Sequence, residues 1–288
     1  MDGLKIAIPN KGRMSDDIFE LLKRAGLNFE GKSERTLNVK TENGKYEIVF
    51  VRTKDIPNFV HSGACDIGFT GQDVVYEAGL AVDDILTLDF GHCKMVVAVK
   101  EEDSYKCVAD LPDGIRLATS FPNVAKKYFA EFNKTPEIVT VSGATEIMPR
   151  MDLVDVIVDI TSSGSTLKAN KLKIIGEIFC SSAVVIGKPD IKKEKSSEIE
   201  AFVRAVKSAL AAKEKKYLMA HIPKSVLDEV KSFLPGLSSP TVTTLHGNDN
   251  AVVVHVVVDK NKIYESVDKL KKLGASGILI LTVDQMIE

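Results

Sequence analysis

The chain has 288 residues, 44% of them apolar and 27% charged, which gives length and core material for two or three ordinary globular domains and excludes a disordered or fibrous class. Its 38 basic and 40 acidic residues leave a formal charge of −2, which excludes a global field for holding a polyanion such as DNA but not a local anion site. The four cysteines, Cys65, Cys93, Cys107 and Cys180, include no CxxC pair and no histidine at zinc-ligand spacing, which argues for reduced thiols rather than a metal or disulfide frame.

The start, "MDGLKIAIPNKGR", has neither the basic lead nor the long apolar core of a signal peptide, and no apolar run nears the ~20 residues that cross a bilayer, so a cytoplasmic protein is expected. "LKIAIP" reads as a strand, and a helix follows from about Ser15, its expected N-cap, to Ala25, with Ile18, Leu21, Leu22 and Ala25 at helical spacing. "YEIVFVR" is a second strand, Asp55 and Pro57 start a short helix that Gly63 ends, and "CDIGFTG" is a third strand. The rhythm returns in "IRLATS", a helix from Pro122 to Phe132, "EIVTV", a short helix from about Thr145, and "DVIVDI". This pattern predicts two α/β lobes. In "KKEKSSEIEAFVRAVKSALAAKEKK" a capping-box signal of Ser197 and Glu200 precedes Ile199, Phe202, Val203, Val206 and Leu210 on one face of a long helix. From about residue 214 the elements spell βαββαβ, a ferredoxin-like unit. The expected division is 1–102 with 186–213 as lobe I, 103–185 as lobe II, and 214–288 as a separate domain.

In an open α/β sheet, ligands bind beyond the carboxyl ends of the strands. "VIVDITSSGSTL" (156–167) has that form, a strand running into a loop in which Thr161, Ser162, Ser163, Gly164, Ser165 and Thr166 supply N–H and hydroxyl donors suited to a phosphate monoester. A phosphate repels Asp159, so the carboxylate needs other partners, and the hydroxyls of a sugar carrying that phosphate would serve. Asp155 lies four residues earlier on the same strand face by the two-residue period. An ordinary cap-rich turn with Asp159 as its initiator fits the composition equally well.

A resemblance separates these readings. "EIMPRMDLVDVIVDITSSGSTLKANKL" resembles the phosphoribosyl diphosphate signature of the ATP phosphoribosyltransferases, which begin histidine biosynthesis. "IAIPNKGRM", "DIPNFVHSGACDIGFTGQDVV", "LDFGHCKMVVAV", "LATSFPNVAKKYF" and "KYLMAHIP" through "LKKLGASGILIL" resemble family segments in the same order, so the likeness spans nearly the whole chain. One departure is Asp152, where the family usually has glycine. The resemblance implies a two-lobed body like the periplasmic binding proteins, a C-terminal regulatory domain as in the long, histidine-sensitive form, and a homo-oligomer up to a hexamer.

It also implies a reaction in which N1 of ATP attacks C1 of phosphoribosyl diphosphate and diphosphate leaves. N1 already has a lone pair, so positioning and charge stabilisation carry the catalysis, with Mg²⁺ and cations on the leaving group. Lys11 and Arg13, flanking Gly12 in "NKGR", are then candidates for polyphosphate, although a solvated basic turn has the same composition. Arg52 is a second candidate, or an ion-pair residue. Gly71 and Asp73 in "FTGQDV" fit close ligand approach, or a cap in the case of Asp73. Glu146 faces the ribose or the metal, or is favoured by a helix start. Asp89, His92, Cys93 and Lys94 in "DFGHCK" read as general cleft lining. His221, Thr241, Ala275 and Ser276 match the family's histidine region by position. A non-catalytic ligand sensor, two lobes closing on one metabolite, is the rival reading of the same fold.

Overall fold

The computed structural model describes residues 3–29, 37–234, 236–237 and 239–287; the Arg13 side chain lies outside the described residues. The chain opens with β1 (Leu4–Pro9), α1 (Arg13–Arg24), β2 (Asn38–Lys40), β3 (Tyr46–Val51) and α2 (Ile56–His61). β4 (Ile67–Gly71), α3 (Gln72–Ala78), β5 (Asp83–Thr87), β6 (Cys93–Lys100), β7 (Arg116–Thr119), α4 (Pro122–Ala130) and β8 (Glu137–Thr140) follow. A 3-10 segment, Thr145–Met151, precedes β9 (Val156–Thr161), α5 (Ser165–Ala169), β10 (Leu172–Ser181), β11 (Ala183–Gly187), α6 (Ile191–Glu194) and α7 (Ser196–Ala212). The remainder is β12 (Lys215–Pro223), α8 (Leu227–Phe233), β13 (Thr241–Leu245), β14 (Asn248–Asp259), α9 (Ile263–Lys272) and β15 (Ser276–Thr282). Among the described residues no helix is long and apolar enough to cross a membrane.

Among the described residues the strands form three sheets. The first has the order β2-β3-β1-β4-β11-β5, with β3, β1 and β4 parallel and β11 antiparallel between β4 and β5. The second has the order β10-β6-β9-β7-β8, with β9, β7 and β8 parallel and β6 antiparallel to both of its neighbours. Both are apolar on both faces, as crossover connections require. In the second sheet, Val97, Val99, Leu117, Val156 and Val158 pack under Phe129 of α4, and Val96, Ala98 and Ile157 pack under Leu167 of α5.

Two expected boundaries move. The strand Cys93–Lys100, assigned to the first lobe, belongs to the second sheet, and Ala183–Gly187, placed largely in the second lobe, belongs to the first. Antiparallel pairing is the reason: β6 finds β9 and β10, and β11 finds β4, so the chain crosses between lobes near 88–92 and again at Ser182. Local starts move as well. Gly12, at φ 95°, turns the chain so that α1 begins at Arg13, which leaves Ser15 buried inside the first turn rather than capping it. At α7 the helix begins at Ser196, whose hydroxyl donates to Glu200 (2.9 Å), while Ser197 donates to Glu198 (3.2 Å), so the expected Ser197 and Glu200 box is not made.

The second compact unit comprises Leu21–Gly26 and Ala201–Glu288, so it takes in part of α1 and most of α7 along with the domain expected from residue 214. Its tie to α7 is visible at the C-terminus, where the Met286 N–H donates to the Ser208 carbonyl (2.9 Å). The sheet here runs β13-β14-β12-β15, fully antiparallel, which is the ferredoxin-like order. Leu218, Ala220 and Ile222 on one face meet Val230 of α8 and Leu270 of α9, all buried.

Two predictions concern the two-lobed unit. The N-terminus of α4 receives no cap from its own loop; instead Glu77 of α3, in the other lobe, accepts from the Asn123 N–H (3.0 and 3.1 Å) and the Val124 N–H (3.0 Å). Glu77→Ala should lower the unfolding free energy by about 1 kcal/mol, the usual worth of an N-terminal cap, and Glu77→Gln should lose less, both measured by urea titration. Asp152 ends the 3-10 segment at φ 56°, in the left-handed region that explains a glycine there and that aspartate tolerates better than most residues. Asp152→Ala should therefore be less stable than Asp152→Gly by about 1 kcal/mol in the same titration.

Candidate active site

The strand pairings bring the carboxyl ends of the two sheets to one place. Gly71, the last residue of β4, pairs with Ala183 of β11. On the other side of the crossing, Cys180 of β10 pairs with Lys94 of β6, and Lys94 pairs with Thr161 at the end of β9. Cys180 and Ala183 are separated by two residues, so the strand ends of both lobes converge on the crossing.

On the first lobe, the Asn10 N–H donates to the Val51 carbonyl (2.8 Å), which sets the "NKGR" turn beside Arg52. Lys11 and Arg52 are both exposed there, with Gly12 between Lys11 and the start of α1. Arg13 opens α1 at the same edge. The structure thus collects Lys11, Gly12 and Arg52 at one rim.

Gly71 and Asp73 have a different role from the expected ligand contact. The Ser181 hydroxyl donates to Asp73 Oδ1 (2.9 Å), and the Asp73 N–H donates to Ser181 Oγ (3.1 Å), all of it buried. A Cβ on Gly71 would come within 2.2 Å of Asp73 Oδ1, so the glycine makes room for this carboxylate. The pair joins the lobes, assisted by the Gln72 N–H donating to the Ser182 carbonyl (3.0 Å). Burial, and then the Asp73 charge, push the neighbouring Cys93 thiol's pKa up, which keeps it protonated.

On the second lobe, Asp159 is held at the mouth of the loop. The Ile160 N–H donates to its Oδ1 (2.8 Å), and the Thr145 hydroxyl lies close enough to lower the carboxyl's pKa. Burial pushes the Asp159 pKa up, Glu146 adds to that shift, and Ile160 and Thr145 oppose it. Glu146 is therefore near enough to Asp159 for its charge to act on it. Thr145, itself buried, was read only as a helix start; its hydroxyl three residues before the helix's Met148 carried no sign that it would reach a strand end.

The loop is preformed. Gly164 lies at φ 73°, its N–H donates to Thr161 Oγ1 (2.9 Å), and the Ser163 and Ser165 hydroxyls bond each other (2.9 Å). Ser162, Ser163, Ser165 and Thr166 are exposed. Asp155 does not belong to this group. It immediately precedes the strand that Asp159 nearly ends, about 13 Å away at strand rise, and Arg116 takes both its oxygens (2.7 and 3.0 Å). That bond holds the Asp155 carboxyl below its ordinary pKa. A shared face is thus not a shared end.

The C-terminal candidates divide. His221 pairs with Ser276 and shares the uncovered sheet face with Thr241, while Ala275 packs into the core beneath the helices. Gly277, at φ 55°, lets the chain pass over the His221 ring, 3.1 Å from where a Cβ would stand. Thr241 lines a hollow of about 410 Å³ with Ser239, Thr243 and a Tyr217–His255 pair (2.8 Å) that the sequence reading did not single out.

Comparison with known proteins bears on which chemistry these groups serve. The family model "ATP phosphoribosyltransferase" (HisG) matches residues 52–208, and the HisG C-terminal domain matches 212–285. An ATP phosphoribosyltransferase of Methanocaldococcus jannaschii is 40% identical, covering 99% of this chain and 100% of that one. One of Halorubrum lacusprofundi is 39% identical over 99% of this chain and 100% of its own. Among solved structures, an ATP phosphoribosyl transferase (HisG:HisZ) complex from Thermotoga maritima matches with 32% identity and a TM-score of 0.63, over 71% of this chain and 96% of that chain. A stand-alone ligand sensor is therefore set aside, and the chain belongs to the ATP phosphoribosyltransferase family, the enzymes of the first step of histidine biosynthesis.

Proposed function

We propose that the enzyme joins N1 of ATP to C1 of phosphoribosyl diphosphate with release of diphosphate, that Mg²⁺ assists, and that histidine bound to the C-terminal domain inhibits. The observation that carries this reading is the partly buried Asp159, poised with Glu146 at the mouth of a loop rich in exposed donors. Burial has stripped water from this carboxylate without giving it a cation, so ribose hydroxyls are well suited as its missing donors. The 161–166 loop holds the 5-phosphate of the same sugar through N–H and hydroxyl groups. Held at both ends, the ribose presents C1 to the adenine, and no side chain has to remove a proton from N1.

Lys11 and Arg52, at the first-lobe rim, are placed to counter the charge of ATP or of the departing diphosphate. Among the described residues no three His, Cys, Asp or Glu side chains gather into a metal group. Mg²⁺ is commonly held by one or two carboxylates with substrate phosphates; Glu146, near Asp159, would hold it together with those phosphates, and it would supply charge neutralisation at the leaving group.

Support for regulation comes from the second unit, present in this chain and matched to the HisG C-terminal domain. Histidine is assigned to its uncovered sheet face, near His221, Ser276 and Thr241, and an assembly of up to six copies is the arrangement in which it would act. Inhibition then requires that histidine bind a less active arrangement more tightly.

Two measurements test this function. Diphosphate release should need ATP, phosphoribosyl diphosphate and Mg²⁺ together and fall when histidine is added; release without the ribose donor would sink the reaction, and indifference to histidine would remove the regulatory assignment alone. The second concerns Asp159. With its folded pKa raised, this group favours folding in full below its ordinary value of 3.8, and that contribution is lost as pH rises through the folded value. Asp159→Asn should therefore raise the Tm near neutral pH, lose that advantage in acid, and cut kcat/KM for the ribose donor about a hundredfold or more. An unchanged kcat/KM would take the ribose away from Asp159.

A further inference from the structure

The loop at 161–166 offers only neutral donors, yet the group assigned to it is a phosphate dianion. One cation stands beside it in the sheet. Lys94 pairs directly with Thr161, and Val96 with Asp159, so Lys94, Thr161 and Asp159 point from the same face of neighbouring strands. Residues so paired have Cβ atoms about 5 Å apart, within reach of a lysine side chain for anything bound at the loop. The next strand supplies the partner: Glu177 Oε2 accepts from Lys94 Nζ (2.8 Å), and Glu177 Oε1 accepts from the Cys180 thiol (3.3 Å). Both members of the ion pair are about half exposed, so neither is locked into the core.

We propose that Lys94 is a substrate-positioning residue for the phosphate end of the ribose donor, held by Glu177 on the strand flanking β6 on the side away from the loop until a phosphate competes for its ammonium. This rests on the reading of the loop as the ribose-donor site. Exposed ion pairs of this kind contribute little to stability, so the pair has little structural work to do. Its use is electrostatic: Glu177 cancels Lys94 while the site is empty and gives way to a doubly charged ligand. Glu177 is then a competitor, and removing it has the opposite effect from removing Lys94.

That opposition is the test. Binding of phosphoribosyl diphosphate to the full-length protein with Mg²⁺ is measured by calorimetry for wild type, Lys94→Gln and Glu177→Gln. Loss of one charge-assisted bond to phosphate should weaken Lys94→Gln about tenfold. Glu177→Gln should bind a few-fold tighter than wild type, and Lys94→Arg should retain most of the affinity. In turnover the KM for the ribose donor should rise in Lys94→Gln with a much smaller change in kcat. If both glutamine variants weaken alike, the ion pair matters only for structure and the inference fails; if Lys94→Gln binds as wild type does, it also fails. Should wild type itself not bind phosphoribosyl diphosphate, the loop assignment falls and this inference with it.

Discussion

The arrangement of the two lobes depends on a buried carboxylate at the point where the chain passes between them. An ionisable group out of water is tolerated only when its lone pairs are satisfied, and Asp73 meets that condition with the Ser181 hydroxyl from the crossing segment. The consequences spread outward. Gly71 has to be glycine, because a side chain would collide with the carboxylate that bends back over it. Cys93, next to the pair, stays a thiol. With Ser181 fixed to the first lobe, Cys180 and Lys94 are fixed relative to it, and through Lys94 so is the end of β9 on which Asp159 and the loop stand.

Asp159 and Asp155 show how environment separates two like residues on one strand. Asp155, at the strand's start, has a guanidinium across both oxygens and serves the fold. Asp159, near its end, has a backbone N–H, a hydroxyl and a second carboxylate close by, an environment that leaves charge unmatched. A fold selected for stability alone would put a cation there or remove the charge. On the function proposed above, the unmatched charge is a cost carried for the ribose donor, as pKa shifts at functional sites commonly are.

The helices and strands that carry long apolar periodicities were legible in the sequence, and so was the βαββαβ tail, because each rests on local spacing. The hydroxyl-rich loop after "VIVD" was legible as a strand-end loop from its composition, but only the family resemblance separated a phosphate loop from an ordinary cap-rich turn. What stayed hidden depends on partners far along the chain. Nothing local in "CKMVVAVK" says that it pairs with residues 156–161 instead of staying with the strands before it. The two-residue period correctly put Asp155 and Asp159 on one face, but it carries no information on which end of the strand faces the ligand. Arg116, 39 residues from Asp155, settled that. The Thr145 hydroxyl and the Glu77 cap on α4 belong to the same class, contacts between elements whose own sequences give no hint of each other.

The insertion of β11 between β4 and β5 has a consequence for how the protein is made. The strands of the second sheet, Cys93 to Ser181, are contiguous in the chain, and that sheet can close as soon as its last strand emerges from the ribosome. The first sheet cannot. Its β4, buried throughout, must wait for Ala183–Gly187, which are made about 100 residues after β5 and so some 5–20 s later at ordinary synthesis rates. During that interval the earlier lobe has an unpaired apolar edge while the later lobe is already folding, so the N-terminal half of the molecule is the last part of the two-lobed body to be finished.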